Sequence, residues 1–374
     1  MIKLFLTSDN HFGRKFDKYP KEVKETIIEK RYKAFDDMVK KANAEKCNFF
    51  VVAGDLFEGI NAPVSDIKKV IECLKKFDGE VLVLPGNHDY YTGEEKIWET
   101  FKKNTESIDN ITILNEFREY EFENISFFPA YCDSKHSDEN KLGEYEDYEF
   151  DEDRFNVLIA HGAIEGLTPD NEGEYFLMSE HELENVGVDC CLIGHTHIPY
   201  PANLEEGKDI DGYTIFNAGT HSQLDLHNNT DGECFIISLE NNNGKKKVKA
   251  RKYVSGTIRL YDIDVNVKNE SLKDAITRAL PKEANSKENE TIIRISLKGS
   301  VSTNDYVDRE KIYEEILSKY LFYERDESEL AEEISIEKIR KEFAETSFVA
   351  KLLESLTDEP IEQRMAYDLI KECK

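Results

Sequence analysis

Five times in its first 200 residues this chain drives a short apolar run straight into a residue able to hold a metal ion. LFLT leads into Ser8-Asp9-Asn10-His11, FFVVA into Gly54-Asp55, and VLVLP into Gly86-Asn87-His88-Asp89. VLIA leads into His161-Gly162, and CCLI into Gly194-His195-Thr196-His197. Apolar runs of this length, bounded by turn residues, read as strands buried on both faces. One such tip is an ordinary strand end, because Pro-Gly and Asn are common turn residues. Five in succession, holding five of the nine histidines, imply a joint site.

Residues 2–7, 48–53, 81–84, 125–128, 157–160, 190–193 and 214–217 read as strands, with helices over 25–44 and 64–77. This βαβαβ rhythm predicts an α/β sheet that delivers loops at the carboxyl ends of its strands. Residues 234–239 and 248–253 predict an antiparallel pair across Asn-Asn-Asn-Gly. Near residue 255 the character changes. TIRLYDIDVNV and ETIIRISLKGSV alternate as strands around a helix at 271–280, and beyond Asp308 the pattern is helical and charge-rich. The expected division is 1–255, a smaller α+β unit over 256–330, and a helical segment over 331–374. The acid-dense stretch 132–154 reads as a solvated insertion.

With 77 acidic against 49 basic residues, the formal net charge is −28. Such a surface repels phosphate backbones at long range, so work on nucleic acid requires a local positive centre or a basic partner. No stretch approaches the ~18 apolar residues of a membrane span. MIKLFLTSDNHFG breaks into charge too early for a signal peptide. Seven scattered cysteines without a C-x-x-C pair predict a reducing, cytoplasmic setting.

Asp9 and His11 stand at i and i+2, so an extended strand end would aim both to one side, toward one ion. Asp55, on a Gly-Asp turn, is placed to bridge two ions. Asn87 offers a neutral amide oxygen. His161 and His195 complete the second ion, and His197 returns to the first. Two divalent ions against two carboxylates leave a positive surplus, suited to a phosphate ester. The mixed N/O donor set suits Mn²⁺, Fe²⁺ or Zn²⁺ over Mg²⁺ or Ca²⁺, and without a thiolate it is not a structural zinc site. Asp89 is expected to brace its loop rather than bind metal.

The order D-x-H, G-D, G-N-H-D, H, G-H-x-H resembles the calcineurin-like metallophosphoesterase superfamily over residues 1–220. Within it, Asp9-Asn10-His11-Phe12-Gly13 and Gly54-Asp55-Leu56-Phe57 are similar to the double-strand-break repair nucleases of the Mre-eleven/SbcD type, as an SbcD-like or YhaO-like member. The resemblance implies a four-layer α/β sandwich of two mixed β-sheets flanked by helices, followed by a DNA-capping domain. It implies two divalent ions, usually Mn²⁺, and a DNA exonuclease and endonuclease that dimerises. The implied partner is an SbcC-like, SMC-type coiled-coil ATPase gripped by carboxyl-terminal helices; the apolar stripe of SFVAKLLESL reads more simply as core, with Phe348, Leu352 and Leu353 as the candidate contacts if it is a partner face. Carried over by position, the ligands are Asp9, His11, Asp55, Asn87, His161, His195 and His197, and His88 meets the scissile phosphate.

Two departures stand out. Glu58 replaces the histidine that many members carry after G-D-L-F, and Asn217-Ala218-Gly219-Thr220-His221 replaces a Gly-Ser followed by arginine. Asn10, Glu58 and His221 are candidate substrate contacts, with a plain surface histidine an equally simple reading of His221. The cluster Lys245-Lys246-Lys247 with Lys249 and Arg251 is either a phosphate contact or, more simply, a solvated hairpin. The same centre could serve a cyclic-nucleotide phosphodiesterase or a small-molecule phosphatase, and the fold could serve as a non-catalytic scaffold. A protein Ser/Thr phosphatase is disfavoured because G-D-x-x-D-R-G is absent.

Overall fold

In chain order the first strands and helices are β1 (Ile2–Thr7), α1 (Lys21–Ala44), β2 (Phe49–Ala53), α2 (Val64–Leu74), β3 (Glu80–Leu84) and α3 (Lys96–Thr105). Next come β4 (Ile111–Ile113), β5 (Tyr120–Phe122), β6 (Ile125–Ala130), β7 (Phe155–His161), α4 (Glu180–Asn185) and β8 (Cys190–Gly194). β9 (Asp209–Asp211), β10 (Ile215–Asn217), β11 (Glu233–Asn242) and β12 (Lys245–Val254) complete a unit that spans Met1–Ile258. The computed structural model describes residues 1–167, 173–226, 230–268 and 270–373, without the side chains of 360 and 361.

The strands form a seven-stranded sheet, β4-β3-β2-β1-β11-β12-β9, and a five-stranded sheet, β10-β8-β7-β6-β5. β1 to β4 pair in parallel, as do β6, β7, β8 and β10, while β11 and β12 run antiparallel. Side-chain alternation explains the continuous apolar runs. Phe5, Phe50, Val52, Val81 and Val83 meet residues of α1, α2 and α3. Their neighbours Leu4, Leu6, Val51, Ala53 and Leu82 meet Phe127, Val157, Ile159 and Leu192 of the other sheet. A strand buried on both faces has no polar side to show. The result is the sandwich of two mixed sheets flanked by helices.

The stretch 132–154 is not a solvated spacer. Leu142 and Tyr145 are buried against Phe128, Leu158, Cys191 and Ile193 on the outer face of the smaller sheet. The Tyr145 hydroxyl donates to the Pro129 carbonyl at 2.8 Å. The acids dominate the composition, but the few apolar residues among them cover that face.

The second unit, Arg259–Lys374, contains β13 (Arg259–Val267), α5 (Leu272–Ala279), β14 (Thr291–Val301), α6 (Thr303–Leu317) and β15 (Phe322–Glu332). α7 (Ile336–Glu342), α8 (Phe348–Ser355) and α9 (Pro360–Glu372) follow. Serines 271, 302, 335 and 347 start α5, α6, α7 and α8 by accepting an amide hydrogen three residues on. The sheet β13-β14-β15 is parallel throughout, and α5 and α6 pack on it through Leu272, Ile276, Tyr313 and Leu317.

β15 corrects the expectation of helix beyond Asp308. FYERDESELAE is an edge strand that carries charge at exposed Glu324, Asp326 and Glu329 and at half-buried Arg325, which pairs with Glu310 and Glu327. That charge hides its alternation from a hydrophobic pattern. In the last helices Leu353 is buried with Ile339, Phe343, Ala350 and Tyr367, so it belongs to the core and not to a docking face. Leu352 is half-buried, and Phe348 is 78% exposed. Among the described residues no helix is long and apolar enough to cross a membrane.

Candidate metal centre

The tips of β1 and β2 do not diverge after their strands end. They stay joined by Asp9 N–H to Gly54 O at 3.1 Å, His11 N–H to Asp55 O at 2.9 Å, and Phe12 N–H to Leu56 O at 3.0 Å. Asp9, His11 and Asp55 have φ of 50°, 46° and 52°, and His195 has φ of 93°. The pair Asp9 and His11 therefore converges by left-handed turns, not by the alternation of an extended strand end. Such backbone costs about 1–3 kcal/mol at each non-glycine residue and persists only where its surroundings hold it. Here the inter-tip hydrogen bonds hold it.

The tip of β3 adds Asn87, and β7 and β8 bring His161, His195 and His197 from the facing sheet. His161 Nε2 lies 3.0 Å from Asn87 Oδ1, and His195 Nδ1 lies 3.1 Å from the same oxygen. His11 Nε2 and His197 Nε2 face each other at 3.1 Å. Asp55 reaches toward His11 Nε2 with one oxygen at 3.6 Å and His161 Nε2 with the other at 3.5 Å. His197 Nε2 stands 3.5 Å from Asp9 Oδ1. Ligand atoms of Asp9, His11 and His197, and those of Asp9, Asp55 and His161, lie within 4.8 Å of one another.

The charges at this point require a cation. Asp9 and Asp55 are fully buried, and among the described residues only histidines reach them. Against burial, which pulls the other way, neighbouring imidazoles hold both carboxyls below the usual carboxylate range. Burial likewise opposes protonation of His161, but Asp55 lifts its imidazole to about 9. Burial and the His161 charge push His195 down to about 4. Two carboxylates, one amide and four imidazoles, converging with donor atoms inward, fit a pair of divalent ions.

The neighbouring residues have separate tasks. His88 donates its main-chain N–H to Asp55 Oδ1 at 2.8 Å, while its Nδ1 faces the Glu58 carbonyl at 3.1 Å. Asp89 is buried and accepts from Phe57 N–H at 2.9 Å and Gly86 N–H at 2.7 Å. It ties the tips of β2 and β3. Burial and the Asp55 charge raise its carboxyl to about 7.

Asn10 and His221 do not face a substrate. Both are fully buried, with Asn10 Nδ2 3.1 Å from His221 Nδ1 and 3.0 Å from Thr7 Oγ1. The His221 ring lies near Phe12 and Phe35. Glu58 sits at the edge of the centre, its carboxylate 3.1 Å from His11 Nδ1. The cluster at 246–251 is neutralised: Lys246 pairs with Asp189, Lys247 with Asp211, Lys249 with Glu240 and Arg251 with Asp209.

Three contributors escaped the sequence reading. Ala53 offers only its carbonyl, to His161 Nδ1 at 2.9 Å, which no side-chain pattern could reveal. Tyr175 stacks on His195 with ring centroids 5.1 Å apart. Arg31 is buried and donates to Asn10 O at 2.5 Å and Ser222 O at 3.2 Å, joining two loops behind the centre. Its signal was legible, since Arg31 lies on the apolar face of α1 with Ile27, Ala34, Phe35 and Met38.

A centre of this composition, set where parallel strands of a two-sheet sandwich end, defines a metal-dependent phosphoesterase. The chain belongs to the calcineurin-like phosphoesterase family, whose model matches residues 2–199. No curated protein matches it. Among solved structures, TT1561 of Thermus thermophilus is 13% identical, covering 65% of this chain and 99% of its own, with a TM-score of 0.38. An archaeal phosphodiesterase is 14% identical over 68% of this chain and 99% of its own, with a TM-score of 0.33. A dimetal phosphatase from Danio rerio is 12% identical over 68% and 99%, with a TM-score of 0.36. Likeness this remote carries no argument about substrate.

Proposed function

We propose that the chain is a Mn²⁺-dependent DNA phosphodiesterase of the Mre-eleven/SbcD type, acting as exonuclease and endonuclease in double-strand-break repair. The observation that carries the reading is an open groove of ≈ 590 Å³ beside the centre, lined by His88, Glu58, Asn61, Tyr90, Lys15 and Lys135. Unlike the paired cations of β12, among the described residues these two lysines pair with no carboxylate. In a chain of net charge −28, two unpaired cations flanking the reaction centre suit an ester that continues past its scissile phosphate. Lys135 is also tied to the centre, because its carbonyl accepts from Asn87 Nδ2 at 3.4 Å.

Bound ions would be held by Asp9, His11, Asp55, Asn87, His161, His195 and His197, and would supply Lewis acidity to the phosphoryl oxygens and to water. His88, oriented by the Glu58 carbonyl, presents Nε2 to the phosphate and donates the proton that the leaving oxygen takes up as its bond to phosphorus breaks. The partner in this reading is an SbcC-like coiled-coil ATPase docking on the carboxyl-terminal helices, where Phe348, Met365 and Leu369 are exposed. A homodimer through the phosphoesterase unit belongs to the same reading.

End-labelled duplex and hairpin DNA, digested with Mn²⁺, tests it. Wild type is expected to cut both, with His88→Ala and Asn87→Ala inactive. Cyclic-nucleotide hydrolysis without any DNA cleavage would replace the nuclease reading with a cyclic phosphodiesterase. Phe348→Asp with Met365→Asp is expected to abolish co-purification with the ATPase, and unchanged co-purification would remove the docking assignment.

A further inference from the structure

We infer that Glu58 is a positioning residue for one of the two ions: its carboxylate fixes the His11 imidazole so that Nε2 points into the metal centre. The inference rests on reading the seven converging side chains as a two-ion centre. His11 is 1% exposed, and its two ring nitrogens face different surroundings. Nε2 faces inward, 3.1 Å from His197 Nε2 and 3.6 Å from Asp55 Oδ2. Nδ1 faces outward with Glu58 Oε2 3.1 Å away, and among the described residues neither of these two buried atoms has a hydrogen-bond partner, so the nearest charge to Nδ1 is this carboxylate. A neutral imidazole carries its proton on one nitrogen and its lone pair on the other. With the carboxylate beside Nδ1 the proton belongs there, and the Nε2 lone pair is left for the ion. A carboxylate behind a ligating histidine fixes the ring and makes it a stronger donor.

The other well-held imidazole of the centre achieves this differently. His161 Nδ1 meets the main-chain carbonyl of Ala53. A carbonyl carries no net charge and cannot be replaced by substitution, whereas Glu58 supplies a full charge through a side chain that can. Glu58 also acts through its main chain, since its N–H donates to Phe12 O at 2.9 Å and its carbonyl faces His88 Nδ1 at 3.1 Å. One residue therefore sets both histidines, the ligand His11 by its side chain and the phosphate-facing His88 by its carbonyl. A side-chain substitution separates the two roles. A competing geometry exists, because ligand atoms of His11, Glu58 and His88 also lie within 4.8 Å of one another and could themselves take an ion.

The experiment is a Mn²⁺ binding isotherm on the full chain, comparing wild type, Glu58→Ala and Glu58→Gln, with a thermal melt of each metal-free protein. Wild type is expected to bind two ions. Glu58→Ala is expected to weaken one of them by about 10–100-fold while leaving the other unchanged. Glu58→Gln, whose amide oxygen can still accept a hydrogen bond, should recover part of the loss. Activity of Glu58→Ala should return at high Mn²⁺, since His88 keeps its carbonyl. Two ions bound to Glu58→Ala or Glu58→Gln at wild-type affinity would overturn the inference alone. A wild-type stoichiometry of three that falls to two in Glu58→Ala would overturn it in favour of Glu58 as a ligand. If wild type binds no Mn²⁺, the two-ion reading itself fails, and this inference with it.

Discussion

The imidazole of His161, from the smaller sheet, lies with Nδ1 2.9 Å from the carbonyl oxygen of Ala53, from the larger one. The contact crosses the interior of the sandwich at the point where both sheets end. It fixes the ring so that Nε2 faces Asn87 and Asp55. Metal affinity thereby depends on how closely the two sheets approach.

Gly194 tests that dependence. A Cβ at this position would lie 1.8 Å from the Ala53 carbonyl oxygen and 2.8 Å from His161 Nδ1. Gly194→Ala must push the sheets apart or turn His161 away. The expected outcome is a folded protein whose Mn²⁺ affinity is lower by about tenfold or more, read from a binding isotherm beside a circular-dichroism melt. Wild-type affinity in this variant would mean that the close approach is not what orients His161.

In the proposed mechanism, truncating His88 removes a proton donor without removing a ligand. His88→Ala should lower kcat on DNA by about 10²–10⁴-fold and leave Mn²⁺ binding at its wild-type level. Parallel loss of metal would instead place the side chain of His88 among the ligands.

The two groove lysines are separable from the chemistry. Replacing Lys15 and Lys135 with glutamine should raise KM on duplex DNA and flatten the log–log dependence of binding on salt by about two phosphate contacts, near 0.9 per contact. Hydrolysis of a small chromogenic phosphodiester should change little. Equal effects on both substrates would mean that the lysines support the centre and not a flanking backbone.

His221 predicts a pH dependence of stability. Burial, and then the Arg31 charge, hold its folded-state pKa well below the ordinary 6.5. Below pH 6.5 the unfolded chain therefore takes up a proton that the folded chain refuses. The stabilisation is complete above that pH and is lost as pH falls, at about 1.4 kcal/mol per unit for the single group. Urea midpoints from pH 7 to pH 5 should fall more steeply for wild type than for His221→Gln, both metal-free. Coincident slopes would show that His221 titrates freely in the folded protein.

That the seven proposed ligands and His88 come together was legible because each follows an apolar strand, and a parallel sheet collects strand ends at one edge. The same logic failed for Asn10 and His221. Both stand next to ligand-bearing or strand-terminal turns, yet their side chains point into the core between Thr7, Arg31 and Phe12. Which way a turn residue points depends on φ and on what packs behind it, and neither is written in local pattern. β15 was missed for a related reason, since an edge strand can satisfy its exposed positions with ion pairs and show no hydrophobic period.

By itself the sequence determined an α/β sheet and the chemical content of its strand ends, because strand length and residue type are local properties, while the two-sheet sandwich was expected only through the family resemblance. The tertiary structure alone decided the inter-tip hydrogen bonds, the left-handed turns at Asp9, His11, Asp55 and His195, and the partners behind each imidazole. Those partners include a carbonyl of Ala53 and the carboxylate of Glu58, both at the tip of β2, and the ring of Tyr175 from a distant segment. Orientation of a ligand is a relation between segments distant in the chain, and only the packing of one sheet on the other brings them within hydrogen-bonding reach.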